Sequence, residues 1–360
     1  MKYDYLIVGC GMFGSVCARV LTDAGYKCLV IDKRNHIAGN CYSKKISEID
    51  VHWYGAHIFH TSNKEIWDFI NKFSEFNNYR HHVVANYKGE IYSLPFNMWT
   101  FNQFWGSIKP EQAKRIIEDQ KFIGIPSNLE EQAISMVGKD IYDKLIRGYT
   151  KKQWMEEPVN LPPSIIKRLP IRFTYDNNYF FDTYQGIPKD GYSQLFVNML
   201  DQIDVELQVD YFKIQNKNIA KNTIYTGPID KYYNYEYGRL PYRPLHFEHM
   251  KLKESNFQGH SVVNYTDESI PYTRIIEHNH FNPQKTKETI ITKEYPIKWT
   301  GKEDPIYPIN TEENTSTYQK YKNINRAKNI FFGGRLAEYR YYDMHQVIGS
   351  AIKLCKELCK

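Results

Sequence analysis

The chain has 360 residues, 42% of them apolar and 24% charged, the proportions of a globular protein able to bury a sizeable core in two or three structural domains. Net charge is +6, with lysines and arginines scattered among acids rather than in blocks, which argues against nucleic-acid binding and leaves a mild field favouring anionic substrates. No apolar run reaches the length of about twenty residues that a membrane span needs, and the N-terminal apolar stretch is too short for a signal peptide.

Tyr5 to Val8 form a short apolar run that suits a buried parallel strand. Gly9, Gly11 and Gly14 then turn the chain tightly, let the backbone approach a pyrophosphate, and let the next helix pack closely. That helix begins near Met12 and aims unpaired N–H groups and its positive dipole end at phosphates. A second apolar run, Cys28 to Ile31, ends in Asp32, an acid placed to accept hydrogen bonds from adenosine ribose hydroxyls. Residues 1–60 therefore read as a dinucleotide-binding half-unit.

From Pro95 to Pro162 the pattern is helical, with Pro110 and Glu111 opening one helix and Asn128 capping another. Residues 165–190 carry many aromatics and little periodicity, which predicts an ordered but mobile loop leading into a strand. A helix is expected over Tyr192–Gln202, a strand over Asp204–Val209, and a short strand ending in a turn over Ile224–Asp230. Residues 240–300 alternate Val, Ile, Thr and Tyr with polar residues and predict antiparallel strands. Asn329 to Arg335 reads as a strand entering a Gly-Gly turn, and Asp343 to Leu358 as a closing helix. This last unit looks like a return to the N-terminal sheet. No second GxGxxG follows a strand, so a separate NAD(P)H domain is not expected and the cofactor indicated is FAD rather than NAD.

The six cysteines, Cys10, Cys17, Cys28, Cys41, Cys355 and Cys359, fit neither a zinc site nor a redox pair. They are expected as reduced, mostly buried thiols of a cytoplasmic protein. Thirty tyrosines and nineteen phenylalanines raise aromatic content to 15%, a composition suited to sugar and phosphate recognition that decides nothing alone.

Ten motifs in order resemble the UDP-galactopyranose mutase family. They are Gly9–Gly14, Gly39-Asn40, Tyr54–Thr61, Gly148–Trp154, Lys167–Pro170, Asn177–Phe180, Tyr225–Pro228, Pro271–His278, Tyr307–Asn310 and Gly333–Met344. The resemblance implies an α/β fold in which a Rossmann-like FAD-binding domain (1–75, 186–238 and 315–360) carries an inserted helical domain (96–162). An antiparallel β-sheet domain completes it, from 76–95, 163–185 and 239–314. It implies interconversion of UDP-galactopyranose and UDP-galactofuranose through a covalent adduct between the sugar and N5 of reduced FAD, without net oxidation. An external reductant and a homodimer are also implied.

The same resemblance assigns residues. Arg168 and Arg274 match the family's phosphate-binding arginines, their guanidinium forks suiting bidentate contacts, and Arg168 is expected to close on the nucleotide after it binds. His60 and Trp154 join them as the catalytic set. His81, Leu145, Tyr149, Thr150, Trp154, Tyr179, Phe180, Asn264, Tyr307 and Tyr341 fall at substrate positions. At cofactor positions stand Gly9, Gly11, Phe13, Gly14, Asp32, Lys33, Gly39, Asn40, His57, Ile58 and Phe212, followed by Gly334, Arg335, Tyr342, Asp343, Met344, His345, Gln346 and Val347. Asp343 also reads as a plain N-cap. No carboxylate or cysteine accompanies the His57/His60 pair in sequence, so no metal is expected.

One departure stands out: His81 occupies a position where the family commonly has asparagine, beside the sugar pocket. It leaves a UDP-N-acetylgalactosamine mutase open as an alternative. An FAD-dependent oxidase or desaturase, and a non-catalytic flavin redox sensor, are the readings from other classes. Neither would need paired phosphate arginines.

Overall fold

The N-terminal motif begins a five-stranded parallel sheet, with strands in the order Ile330–Phe332, Ala220–Tyr225, Tyr3–Val8, Cys28–Asp32 and Asp204–Leu207. The computed structural model describes residues 1–167, 169–214, 219–324 and 328–360. Continuous apolar runs suit the central strands because both faces are covered. On one face Ile7 and Val30 pack beneath the helices Met12–Asp23 and Met344–Leu358, through Val16, Cys17, Ile348 and Cys355. On the other, Leu6, Leu29 and Ile31 meet Tyr211 and Tyr225. The small residues of the first helix, Gly14, Ala18 and Cys17, let the last helix lie directly against it. The expected return of the C-terminus to the sheet is thus observed. Truncating the fully buried Ile348 to alanine would cost about 2–5 kcal/mol.

A second sheet has six strands in the order Leu245–Leu252, Thr289–Pro296, Arg274–Glu277, Val262–Tyr265, Val83–Tyr87 and Glu90–Leu94. Four of its pairings are antiparallel, as expected, but Val262–Tyr265 runs parallel to Val83–Tyr87. Alternation within 240–300 reports a half-buried strand and carries no information about the direction of a partner from the distant 83–94 hairpin.

The helical segment contains Met98–Trp105, Pro110–Gln120 and Leu129–Val137, closed around Phe101, Ile117, Leu129 and Ile141. Asn97 accepts the Trp99 N–H and Asn128 the Glu131 N–H, so the first and third of these helices start at a side-chain cap, while the second starts at Pro110. A π-helical turn, Tyr142–Arg147, then leads into the helix Gly148–Trp154. The helix expected to reach Gln202 ends at Met199, and Gln202 has a positive φ of 61°.

Candidate functional site: a glycine cradle joined to an arginine and tyrosine cleft

At the carboxyl end of the Tyr3–Val8 strand the glycines are required by space. A Cβ on Gly14 would lie 2.0 Å from the Gly9 carbonyl oxygen, and one on Gly39 would lie 2.8 Å from the Gly11 Cα. Gly9 adopts a φ of +109°, which side-chain-bearing residues rarely tolerate. Together they leave a bare-backbone floor where the helix Met12–Asp23 begins. Asp32 borders it, with Oδ2 accepting the Cys10 N–H at 2.8 Å and Oδ1 the Arg34 N–H at 2.9 Å. Each oxygen keeps a further lone pair for a ligand hydroxyl.

This floor opens into a cavity of about 380 Å³. Of the expected cofactor residues, Gly9, Gly11, Phe13, Gly14, Asp32, Lys33, Gly39, Asn40, His57, Phe212, Gly334, Arg335, Met344 and Val347 line it. Ile58, Tyr342, Asp343, His345 and Gln346 do not. Ile58 is buried with Val83 and Ile276, and Tyr342 is in the main core, its carbonyl accepting Arg335 Nη2 at 2.8 Å. Asp343 precedes the final helix as its N-cap residue, and its N–H donates to Gln346 Oε1 at 3.0 Å.

Sequence reasoning missed the strap 299–305, which also lines the cavity. Asp304 on it pairs with Lys33 at 2.7 Å and Arg34 at 3.1 Å. Lys33 and Asp304 are 271 positions apart, with no local signal to link them.

Beyond the cavity, the second sheet presents Arg274. Its Nε donates to Glu294 Oε2 at 2.9 Å, and Glu294 is buried in the facing strand. Burial works against the guanidinium charge, but Glu294, Tyr149 and Tyr307 outweigh it and raise the pKa further. Burial pushes the Tyr149 hydroxyl up to about 12, against the opposing pull of Arg274. Asn264 sits opposite Arg274 in register, with a buried Oδ1 that has no hydrogen-bond partner among the described residues.

Tyr307 and Tyr341 stack at 5.5 Å, and the Arg335 guanidinium lies 5.1 Å and 5.6 Å from their rings. Arg243, which the sequence did not single out, sits over Trp154 at 4.3 Å and near Tyr307 at 5.5 Å. Leu145 and Thr150 are buried, Leu145 within the helical core. Phe212 lies at the cavity rim, with Lys231 5.0 Å from its ring.

His60 stacks on Phe180 at 3.7 Å, and His81 lies 5.7 Å from Phe180 and 5.3 Å from Tyr179. Burial first, then the Arg274 charge, draws the His81 pKa down to about 3, so this imidazole is neutral. His57 is likewise drawn down by burial to about 4. The expectation that no carboxylate accompanies His60 fails in three dimensions. Asp182 binds its Nδ1 at 2.6 Å, and ligand atoms of His60, Asp343 and His345 lie within 4.8 Å of one another. Strand pairing between Phe59–Thr61 and Tyr184–Gly186 brings Asp182 there, 122 positions away in sequence. Arg168 lies outside the described residues.

Residues 144–341 match the model of the UDP-galactopyranose mutase family, and residues 7–73 that of an NAD(P)-binding Rossmann-like domain. The chain is 41% identical to a probable UDP-galactopyranose mutase of Klebsiella pneumoniae, over 98% of its own length and 94% of that protein. It is 40% identical to the dTDP-fucopyranose mutase of Escherichia coli, over 98% and 97%. A crystal structure of reduced UDP-galactopyranose mutase shares the fold with a TM-score of 0.79, at 13% identity and covering 99% of this chain and 94% of that one.

Proposed function

The chain belongs to the UDP-galactopyranose mutase family of flavin-dependent isomerases, and on that premise we propose that it interconverts UDP-galactopyranose and UDP-galactofuranose with reduced FAD. The glycine floor, the Asp32 carboxylate and the start of the Met12–Asp23 helix fit a dinucleotide, because Gly14 lets the helix close on the Gly9 carbonyl and Gly39 lets its loop close on Gly11, leaving a floor free of side chains for a pyrophosphate. Phe13, Asn40, Gly334, Arg335, Met344 and Val347 would complete its walls. When bound, reduced flavin supplies a nucleophilic ring nitrogen able to take the anomeric carbon from the departing UDP.

What the chain itself must do is keep that UDP within reach until the sugar has changed ring size. Glu294 takes the Arg274 Nε, so both Nη groups remain for a bidentate contact with the diphosphate. We assign Arg168 as the second phosphate arginine. The hydroxyls of Tyr149, Tyr179, Tyr307 and Tyr341 add neutral donors, and with a pKa near 12 Tyr149 stays protonated as a donor at neutral pH. Trp154, Phe180, His60 and His81 supply the flat and polar surfaces for the sugar. His81 places a neutral imidazole where the family commonly has a neutral amide, so the pocket keeps its charge. Leu145, Thr150 and Asn264 support this wall. Because substrate and product share one oxidation state, the electrons that activate the flavin come from an external reductant and are not consumed in turnover.

The observation that carries this reading is the Arg274–Glu294 pair, set with Tyr149 and Tyr307 beside a dinucleotide cradle. The test is to incubate dithionite-reduced, flavin-loaded protein with UDP-galactofuranose and resolve the products by HPLC, with UDP-N-acetylgalactosamine and dTDP-fucose in parallel. UDP-galactopyranose should appear. Failure to convert with reduced flavin bound would remove the proposal, while faster turnover of either parallel sugar would reassign the substrate.

A further inference from the structure

Lys152 belongs to the Gly148–Trp154 motif, and nothing described so far uses it. Its ammonium donates to three backbone carbonyls, those of Tyr265 at 2.6 Å, Asp267 at 2.8 Å and Tyr272 at 3.0 Å. An ammonium has three N–H donors and no acceptor, so this tripod engages all of them. The carbonyls belong to the turn that joins the strand Val262–Tyr265 to the strand Arg274–Glu277. Tyr272 is two residues from Arg274.

The same turn meets the helix at a second point. A Cβ on Gly148 would lie 2.3 Å from the Thr266 carbonyl oxygen and 3.0 Å from the Glu268 nitrogen. Gly148 and Lys152 are four residues apart and therefore lie on one face of the helix. That face is docked on the turn by backbone-to-backbone approach at one end and by the ammonium tripod at the other. The neighbouring Lys151 pairs with Glu157 at 2.6 Å and reaches Glu268 of the same turn at 3.3 Å, both as exposed surface pairs. The same helix carries Tyr149 and Trp154, and Tyr149 is electrostatically coupled to Arg274.

We propose that Lys152 and Gly148 form a clamp that sets Arg274 at its working distance from Tyr149 and Trp154, making Lys152 a positioning residue for the nucleotide diphosphate. The proposal rests on the nucleotide-sugar reading of the cleft. The helix and the turn come from different parts of the fold, so without the clamp their separation is set by side-chain packing and the solvent-exposed Lys151–Glu268 pair alone. Removing the donors leaves the Tyr265, Asp267 and Tyr272 carbonyls to rebond with water and lets the turn drift.

The test is a double-mutant cycle on flavin-loaded protein, reading UDP affinity by isothermal calorimetry for wild type, Lys152→Met, Arg274→Ala and the double variant. If the ammonium acts through Arg274, Lys152→Met weakens UDP binding by about ten-fold in the wild-type background and by less than about two-fold when Arg274 is already alanine. The flavin content and absorption spectrum stay those of wild type. Equal penalties in both backgrounds, or no penalty in the first, would overturn the clamp. Should Lys152→Met not fold, Gly148→Ala displaces the same turn and must show the same coupling. A wild type that binds UDP yet does not isomerise the sugar would sink the mutase reading and leave the clamp standing. A wild type that fails to bind UDP would sink both.

Discussion

Arg274 and Glu294 face each other across two antiparallel strands, with the Arg274 Nε donating to a buried Glu294 oxygen at 2.9 Å. A charge held this way is aimed before any ligand arrives. Losing a desolvated, charge-paired contact typically costs 2–5 kcal/mol. Arg274→Ala should therefore lower kcat/KM by about 100-fold or more while the protein keeps its flavin colour. Glu294→Gln preserves shape but replaces the charge-assisted bond that aims the guanidinium with a weaker neutral one. Where that aim outweighs the gain in positive field, the variant should weaken UDP binding by about ten-fold in a titration followed by calorimetry.

The glycine floor makes a second demand. Gly14→Ala would drive a methyl group into the Gly9 carbonyl at 2.0 Å, so the helix must shift off the cradle. The variant should purify with little or no bound flavin, seen as loss of the visible absorption band, while its far-ultraviolet circular dichroism stays close to wild type.

Asp304 ties the strap 299–305 to Lys33 and Arg34 across the cavity mouth. Asp304 and Lys33 are about half exposed, and such pairs contribute at most about 1 kcal/mol. Asp304→Asn should accelerate flavin dissociation by no more than about five-fold, with the gap to wild type closing at high salt. Stopped-flow recovery of free-flavin fluorescence would measure it.

Acid should loosen the loop that carries His57. The His57 N–H donates to His52 Nδ1 at 3.1 Å, the His52 N–H to His278 Nδ1 at 3.2 Å, and His278 Nε2 meets Thr292 Oγ1 at 2.7 Å. Protonating either acceptor nitrogen breaks the bond it receives. Burial draws His278 down to about 3, His57 to about 4 and His52 well below its ordinary range. In the unfolded chain these imidazoles take up protons near 6.5, earlier than in the folded one. The stability they contribute is complete above that value and is lost as pH falls from there toward 4, by up to about 1.4 kcal/mol per pH unit for each histidine. Thermal unfolding from pH 7 down to pH 4.5 should show a falling Tm, and His278→Gln should flatten the slope.

The dinucleotide half was legible because its signals are local. Gly9, Gly11, Gly14 and Asp32 fall within one strand–helix–strand unit, and each backbone demand maps to a residue type. The closing helix was equally plain from the apolar spacing of Val347, Ile348, Ala351 and Cys355. What escaped were partners that only tertiary pairing brings together: Asp182 for His60, Glu294 for Arg274, Asp304 for Lys33, and Arg243 for Trp154. Hydrophobic alternation showed that Val262–Tyr265 was a strand but not that its neighbour Val83–Tyr87 runs parallel to it. The count of carboxylates near His60 missed Asp182 for the same reason, since it ran along the chain rather than around the imidazole. Tyr342 packs into the main core rather than lining the cavity, a choice the sequence leaves open because an aromatic at a helix entrance can face either side.

The most direct measurement compares one preparation of flavin-loaded protein in its oxidised and dithionite-reduced states, following UDP-galactofuranose and UDP-galactopyranose by HPLC over the same time course. Conversion should occur with the reduced protein and be negligible with the oxidised one, with no net consumption of reductant per turnover. Equal rates in the two states, or stoichiometric oxidation of the flavin as product forms, would contradict the account.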